Sequence, residues 1–565
     1  MDAVLRHRGG SRLLTDESPA GAVGVRPLDG PDADPDTWAG LYSQGDQAVA
    51  LVGFLTNRLS FRRPLLPHLL DLYREEGPFF VKALRGAFIL VVRDGLTMHL
   101  FRDGAGSRTV YYGRMDERFL FAVEPKGVLA APGFPRRIRP GAVAQYLTFS
   151  FVPGAETMLE GLFELPPGHL ITFRDGIRHP RPERYFVFET APKEQDASEG
   201  EWVDRFRRVL EQAVAERLPD NGTAGVFLSG GIDSSVIAAE VARQRPDPVK
   251  TYAVYFGPEY AHELDFARAV AERTGTEHQE ILIQPRDFLP RLRKIIWHLD
   301  DPIGDPITVP NFELSGRSAR EVICAFNGEG GDPLFGGPKN IPMMLHHWYG
   351  GFERGPQFRE RMYLASYRRC YDDLEQMLTP EWRQRYDQHE VLEGVLTPFF
   401  QSSVPPDFLD KLQVINILLK GAHLILPKVD RMYGAWGLRS MAPLFDERLV
   451  EMSFLMPNRL KLDRGVEKVI LKKAYQDDLP PEVIARPKSG MRVPVHFWFQ
   501  KEMRRYARKI LAPKRIREIG IFNEKRVKQL LDYNIEEGPG RYGLRLWMLI
   551  TFEIWRRIVI EQESP

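Results

Sequence analysis

Residues 226 to 240, VFLSGGIDSSVIAAE, run three apolar residues into Ser229-Gly230-Gly231, followed by Asp233, two hydroxyls and an apolar helical pattern. Glycines at a strand exit let backbone N–H groups approach an anion, and a helix that starts there adds roughly half a positive charge. Asp233 would repel a bare phosphate but suits one that shares a divalent cation with it. The stretch is no Walker loop, since no Gly-Lys-Ser/Thr follows, and it does not match the dinucleotide fingerprint. These residue types in this order point to a nucleotide. A glycine turn whose acid only complements the helix dipole is the bland alternative. A second stretch, FNGEGGDPLFGG at 326 to 337, is another glycine-rich strand exit with two acids, Glu329 and Asp332. They suit a proton acceptor and a metal ligand, with a surface turn as the alternative.

Such loops need a scaffold. From Glu201 helix and strand alternate: strands at 224–228, 250–256, 277–282 and 322–326, and helices at 233–244, 263–274 and 286–299. That alternation predicts a parallel sheet with helices on both faces and ligands at the strands' carboxyl ends. Beyond about 340 the pattern is mostly helical. Residues 1 to about 190 read as β-rich, with hairpin signals at Asp94-Gly95 and Asp175-Gly176 and a helix from about Pro64 to Leu84. TAPKEQDASEGE, 190 to 201, is the best linker candidate, so the division expected is 1–190 and 200–565.

The bulk numbers narrow the class. At 565 residues two to four domains are expected, and 43% hydrophobic with 27% charged residues fits a globular protein. Lys+Arg 77 against Asp+Glu 76 leaves a net charge of +1, so no bulk field advertises nucleic acid or membrane. The basic cluster from Arg504 to Arg517 reads as a solvated helical face. Two cysteines, Cys324 and Cys370, no apolar signal core in MDAVLRHRGG and no run of about 18 apolar residues lead to a cytoplasmic expectation.

The first loop resembles the pyrophosphate loop of N-type ATP pyrophosphatases, which cleave ATP between the α and β phosphates. FNGEGGDPLFGG is similar to the second loop of asparagine synthetases. LPKVDRMYGAWGLRSMAPLFDERLVE (426 to 451) is similar to their C-terminal signature, with Asp430, Arg431, Pro443 and Asp446. RGVEKVILKKAY and LPPEVIARPKSGMRVP add Lys468 and Lys488, which would otherwise read as surface residues. LRGAFILVVRDGLTMHLFRDGAGSRTVYYG and FAVEPKGVLA resemble the class II glutamine amidotransferase domain. The resemblance implies an N-terminal Ntn-hydrolase-like α+β sandwich, then an α/β ATP-pyrophosphatase domain with a helical C-terminal extension. It implies ATP and Mg2+. Nucleotide contacts would come from Leu228, Ser229, Gly230, Gly231, Asp233, Ser234, Val254, Asn327, Gly328 and Lys468. Asp233 and Asp332 would hold the metal, with Glu329 and Lys488 serving the chemistry.

The resemblance breaks at the amidotransferase nucleophile. Those domains use a cysteine as the mature first residue, whereas this chain begins Met1-Asp2-Ala3. Their Asn-Gly-Glu substrate loop stands here as Val52-Gly53-Phe54, and Pro333 follows the metal-binding Asp where Glu is common. The expectation is an amide synthetase without glutaminase, like β-lactam synthetases and lasso peptide cyclases. It would join a small-molecule or peptide carboxylate to an amine, as a homodimer or with a partner biosynthetic protein. An ammonia-dependent asparagine synthetase and a non-catalytic homologue are the rivals. A tRNA-modifying pyrophosphatase is disfavoured because no basic tract with interleaved aromatics stands out.

Overall fold

The computed structural model describes all residues except 19–20, 28–37, 62–63, 175–176, 178, 191–192, 195, 338–339, 350–354, 356, 368, 488–489 and 534–541. The N-terminal part is built on a six-stranded antiparallel sheet. Its order is Glu183–Arg184, His169–Arg174, Thr97–Arg102, Gly86–Asp94, Gln47–Leu55 and Ala39–Gln44. Asp94-Gly95 turns the hairpin between two of these strands, as its residues predict, whereas Asp175-Gly176 lies outside the described residues.

Alternation along the strands sends side chains to two faces. Val49, Leu51, Leu90, Val92 and Phe101 pack on the helix Leu65–Glu76 through Leu66, Leu69 and Leu70. Ala50, Ile89, Val91, Leu100 and Ile171 meet Tyr112, Phe119, Phe121 and Phe163 of a three-stranded sheet, Arg118–Ala122, Tyr111–Met115 and Leu162–Glu164. The far side of that sheet, with Tyr111, Ala122 and Leu162, is covered by the helices Pro125–Leu129 and Pro140–Phe149. The result is the four-layer α/β/β/α sandwich of an Ntn-type domain. Those two covering helices had no counterpart in the sequence reading. The helix expected to reach Leu84 ends at Gly77, which has φ +68° and is followed by Pro78, and continues as 3₁₀ turns.

The C-terminal part holds a parallel five-stranded sheet in the order Glu277–Leu282, Lys250–Tyr255, Ala224–Phe227, Cys324–Phe326 and Arg439–Met441. The fifth strand falls in a stretch read as helical; three residues beside Gly437 are too short to show a period. Val226 faces the helices Glu199–Ala215 and Ile232–Gln244, while Phe227 faces Thr308–Ser318 and Leu426–Gly434. Strand order reverses between Ala224–Phe227 and Cys324–Phe326, which opens a crevice at their carboxyl ends.

Parts of the expected linker lie outside the described residues. Lys193 donates to Asp410 at 2.6 Å, and the Glu194 N–H donates to the Leu455 carbonyl at 3.0 Å. One continuous helix, Phe408–Gly434, has the length and mean hydropathy (1.3) of a membrane span, yet 78% of that window is buried inside the protein. It is a core helix, π-helical over Ile415–Ile425. The basic cluster Arg504–Arg517 is laced to acids: Arg508 to Asp532 at 2.6 Å, Arg515 to Glu553 at 3.0 Å and Arg517 to Glu524 at 2.5 Å.

Candidate functional site

The two glycine loops leave adjacent strands, Val226 pairing with Phe326, and so meet at the switch point. Leu228 is buried and its N–H donates to the Tyr252 carbonyl at 2.8 Å, extending the ladder to the loop. Gly230 takes φ +75°, and a Cβ there would lie 2.7 Å from the Ala267 nitrogen. Only glycine meets both demands. The Ser234 hydroxyl closes the turn, accepting from the Ser229 N–H at 3.1 Å and donating to the Gly231 carbonyl at 3.1 Å. Helix Ile232–Gln244 then starts, with Asp233 and Ser234 buried in its first turn. Val254 lies near the end of the neighbouring strand, half-buried.

The second loop packs directly on this turn. A Cβ on Gly328 would stand 2.5 Å from the Ser234 nitrogen and 2.7 Å from the Asp233 carbonyl carbon. One on Gly331 would run into the Asp233 carboxylate. Asn327 is buried, and its Oδ1 accepts the Glu329 N–H at 3.0 Å while its side chain also reaches the Tyr433 hydroxyl. Glu329 is half-buried at the rim. Beneath it the Tyr433 ring packs on Phe227 at 4.9 Å, and burial, then the Glu329 charge, pushes that hydroxyl well above the ordinary tyrosine range.

Asp233 and Asp332 converge on one cation. The Lys468 ammonium lies 2.5 Å from Asp233 Oδ2 and 2.5 Å from Asp332 Oδ1, and the lysine side chain is fully buried. Lys468 holds φ +57°, a left-handed conformation that costs a lysine about 1–3 kcal/mol. Its N–H donates to the Lys461 carbonyl at 2.7 Å and the Phe335 carbonyl at 3.1 Å, which fixes the residue in place. Neither Asp nor Lys pattern announced this bridge: the lysine lies 136 positions from the nearer acid, as 468 minus 332. Lys488 lies outside the described residues.

Five further residues lie on or behind the site. Arg486, which sequence reasoning missed, donates to the Gly230 carbonyl at 3.2 Å, pairs with Glu263 and stacks over Phe266 at 4.0 Å. Only its place two residues before Lys488 could have drawn attention to it. Asp430 and Arg431 face the N-terminal sandwich, as a buried framework would. Arg8 and Arg108 both pair with the Asp430 carboxylate, and Arg431 reaches the Tyr111 hydroxyl and the Leu299 carbonyl. Pro443 opens the 3₁₀ turn Pro443–Phe445, and Asp446 caps the next helix, Glu447–Leu455, while taking Arg217 at 2.8 Å.

This arrangement can hold an anion at a helix start with acids and a lysine beside it. The chain matches the family model described as asparagine synthase over residues 205–557, and that of a glutamine amidotransferase domain over residues 68–186. It is 27% identical over 526 residues to asparagine synthetase [glutamine-hydrolyzing] 1 of Bacillus subtilis, covering 87% of this chain and 81% of the relative. It is 28% identical over 525 residues to a putative asparagine synthetase [glutamine-hydrolyzing] of Mycobacterium tuberculosis, covering 86% and 79%. To amidase chry2 of Gibberella zeae it is 23% identical over 541 residues, covering 83% and 79%. A match across well over half the chain, on a parallel sheet with both loops at its switch point, makes this protein a member of the asparagine synthase family.

Proposed function

We propose that the protein is an ATP-dependent amide synthetase that adenylates a substrate carboxylate, releases pyrophosphate and condenses the acyl group with an amine, without hydrolysing glutamine. The observation that carries this reading is the meeting of Asp233 and Asp332, from two different strand exits, on one buried cation. The donor set fits magnesium. Two carboxylates converge, an ammonium stands in for the cation, and no group of three or more His, Cys, Asp or Glu side chains is gathered to bind a metal among the described residues. Mg2+ takes one or two carboxylates and completes its shell with water and phosphate oxygens. Bound between Asp233 and Asp332, it would neutralise charge on the triphosphate.

The chain's own groups do the rest. The Ser229–Gly231 turn and the start of helix Ile232–Gln244 orient the phosphates in line with the incoming carboxylate. Carboxylate oxygen bonds to the α-phosphorus as the bond to the β-phosphate oxygen breaks, and Lys468 lies where that leaving charge collects. The amine then attacks the acyl carbon, Glu329 takes its proton, and AMP departs. Lys488 serves as the second cation by family resemblance. The amine and carboxylate belong to a small molecule or peptide in a biosynthetic route.

Absence of glutaminase is supported by the cysteines. Cys324 and Cys370 are both fully buried, and burial pushes the Cys370 thiol up to about 12. Val52-Gly53-Phe54 lies within strand Gln47–Leu55, where a Cβ on Gly53 would collide with the Ala87 carbonyl. The second reading, an ammonia-dependent asparagine synthetase, is favoured by the names its relatives carry. Incubation with ATP, Mg2+ and either aspartate plus ammonium or a panel of peptide and small-molecule acids separates the two. Pyrophosphate release with an acid other than aspartate supports the first reading; asparagine from aspartate and ammonium supports the second. Steady glutamate formation from glutamine overturns the claim about the N-terminal domain.

A further inference from the structure

The Lys468 bridge has a property that a simple phosphate-binding lysine lacks. Its ammonium touches both acids at once, and its backbone is tied to the same loop that carries one of them: the Lys468 N–H binds the Phe335 carbonyl, three residues after Asp332. Gly336, at φ +81°, passes 3.0 Å (as a Cβ would measure it) from the Lys461 carbonyl, so the 461–468 segment and the 332–336 loop form one unit. Gly337 lies against Asp332 in the same way, with 2.8 Å to its Cβ. The backbone that carries the lysine is thereby tied to the loop that carries Asp332.

Resting on the ATP and magnesium reading above, we propose that Lys468 is an internal counter-ion that positions Asp233 and Asp332 and keeps a bare divalent cation out, so that the metal enters together with the triphosphate. A bare Mg2+ would have to displace an ammonium making two charge-assisted contacts. The displaced ammonium would stay buried, unpaired and within a few ångströms of a dication, and both terms oppose entry. A triphosphate removes the conflict, because its oxygens give the ammonium a new partner while completing the metal's shell. Lys468 thus positions the two acids until the triphosphate takes over its ammonium.

The test is Mn2+ binding to the full-length protein, followed by loss of the free-ion electron paramagnetic resonance signal. Wild type should bind Mn2+ alone at least about tenfold more weakly than with a non-hydrolysable ATP analogue, after subtraction of the Mn2+ that the analogue binds without protein. Lys468→Met keeps the stem's bulk and removes the charge, and should bind Mn2+ alone at least about tenfold more tightly than wild type. Adding Asp233→Asn to that variant should abolish the gain. Lys468→Arg retains a cation and should behave as wild type without nucleotide. Equal Mn2+ affinity of wild type and Lys468→Met overturns the proposal, as does Mn2+ binding to wild type that the analogue does not strengthen. The second comparison uses wild type alone and holds if the methionine variant does not fold. Because the Lys468→Met comparison contains no nucleotide and no acyl substrate, it can succeed while pyrophosphate release is never seen. That pattern would sink the functional reading and leave the counter-ion standing. Pyrophosphate release with equal affinities would do the reverse.

Discussion

Gly328→Ala tests whether the two loops must touch. The added Cβ would sit 2.5 Å from the Ser234 nitrogen, 2.7 Å from the Asp233 carbonyl carbon and 2.9 Å from Asp233 Cβ. Carbon contacts settle near ~3.5 Å, so the loops must part by about 1 Å. The obstacle is mostly backbone in the first turn of a buried helix, which cannot rotate away as a side-chain tip could. Separation of that size pulls Asp233 and Asp332 off their shared 2.5 Å contacts with Lys468. A misplacement of about 1 Å costs roughly 10² in rate, and overpacking costs about 1–3 kcal/mol of stability. Pyrophosphate release and urea unfolding should be measured together. Gly200→Ala serves as control, since nothing lies within 4 Å of a Cβ there. Turnover of Gly328→Ala within threefold of wild type, at unchanged stability, would refute the claim that the loops form one site.

Asp233→Asn and Asp332→Asn should each lower substrate-dependent pyrophosphate release by roughly 10² or more; wild-type turnover in either would demote that residue to a helix-start or turn acid. Lys488→Met should keep ATP binding within a few-fold while turnover falls by roughly 10², as for a contact made mostly in the transition state. Equal loss of both would make Lys488 a plain phosphate anchor. Glu164→Gln probes the layer between the two halves. Burial pushes the Glu164 carboxyl up, but His423 and Arg102 outweigh it and hold it at about 2, against an ordinary 4.5. That carboxylate contributes stability above the unfolded value of 4.5, about 3 kcal/mol, and the contribution is lost as pH falls through the folded value. The variant should therefore unfold about 3 kcal/mol more easily at pH 7, with the difference shrinking toward pH 3 in urea titrations. A pH-independent loss would mean packing rather than charge.

The parallel sheet was legible because Ala224–Phe227, Lys250–Tyr255 and Cys324–Phe326 lie in short apolar-rich runs, although Glu277–Leu282 (EHQEIL) carries only two apolar residues, and the loops because glycine and acid at a strand exit have few other uses. Glu199–Ala215 starts two residues before the Glu201 expected, at a reciprocal capping box between Ser198 and Glu201 that lies inside the polar linker stretch. What stayed hidden involves partners far apart in the chain. Lys468 in VEKVIL has a helical neighbourhood and no sign of its left-handed backbone. Strand Arg439–Met441 offers three residues, fewer than a period-2 pattern needs. Tyr433 reads as one more aromatic on an apolar helix until Phe227 and Glu329 are seen around it.

The same helix explains what the N-terminal sandwich contributes even if it hydrolyses nothing. Asp430 and Arg431 are both nearly inaccessible, at 5% and 1%, and their partners Arg8, Arg108 and Tyr111 all come from the N-terminal half. Two residues on, Tyr433 packs under the end of the strand that feeds the first glycine loop. Ala422 and His423, earlier on the helix, take Arg102 at 3.0 Å and Glu164 at 3.2 Å. A buried charge stripped of its partner costs about 3–5 kcal/mol, so truncating Arg8 and Arg108 in the intact protein would put that penalty on Asp430 and the element that floors the site. These pairs tie the domain to the synthetase half by electrostatics.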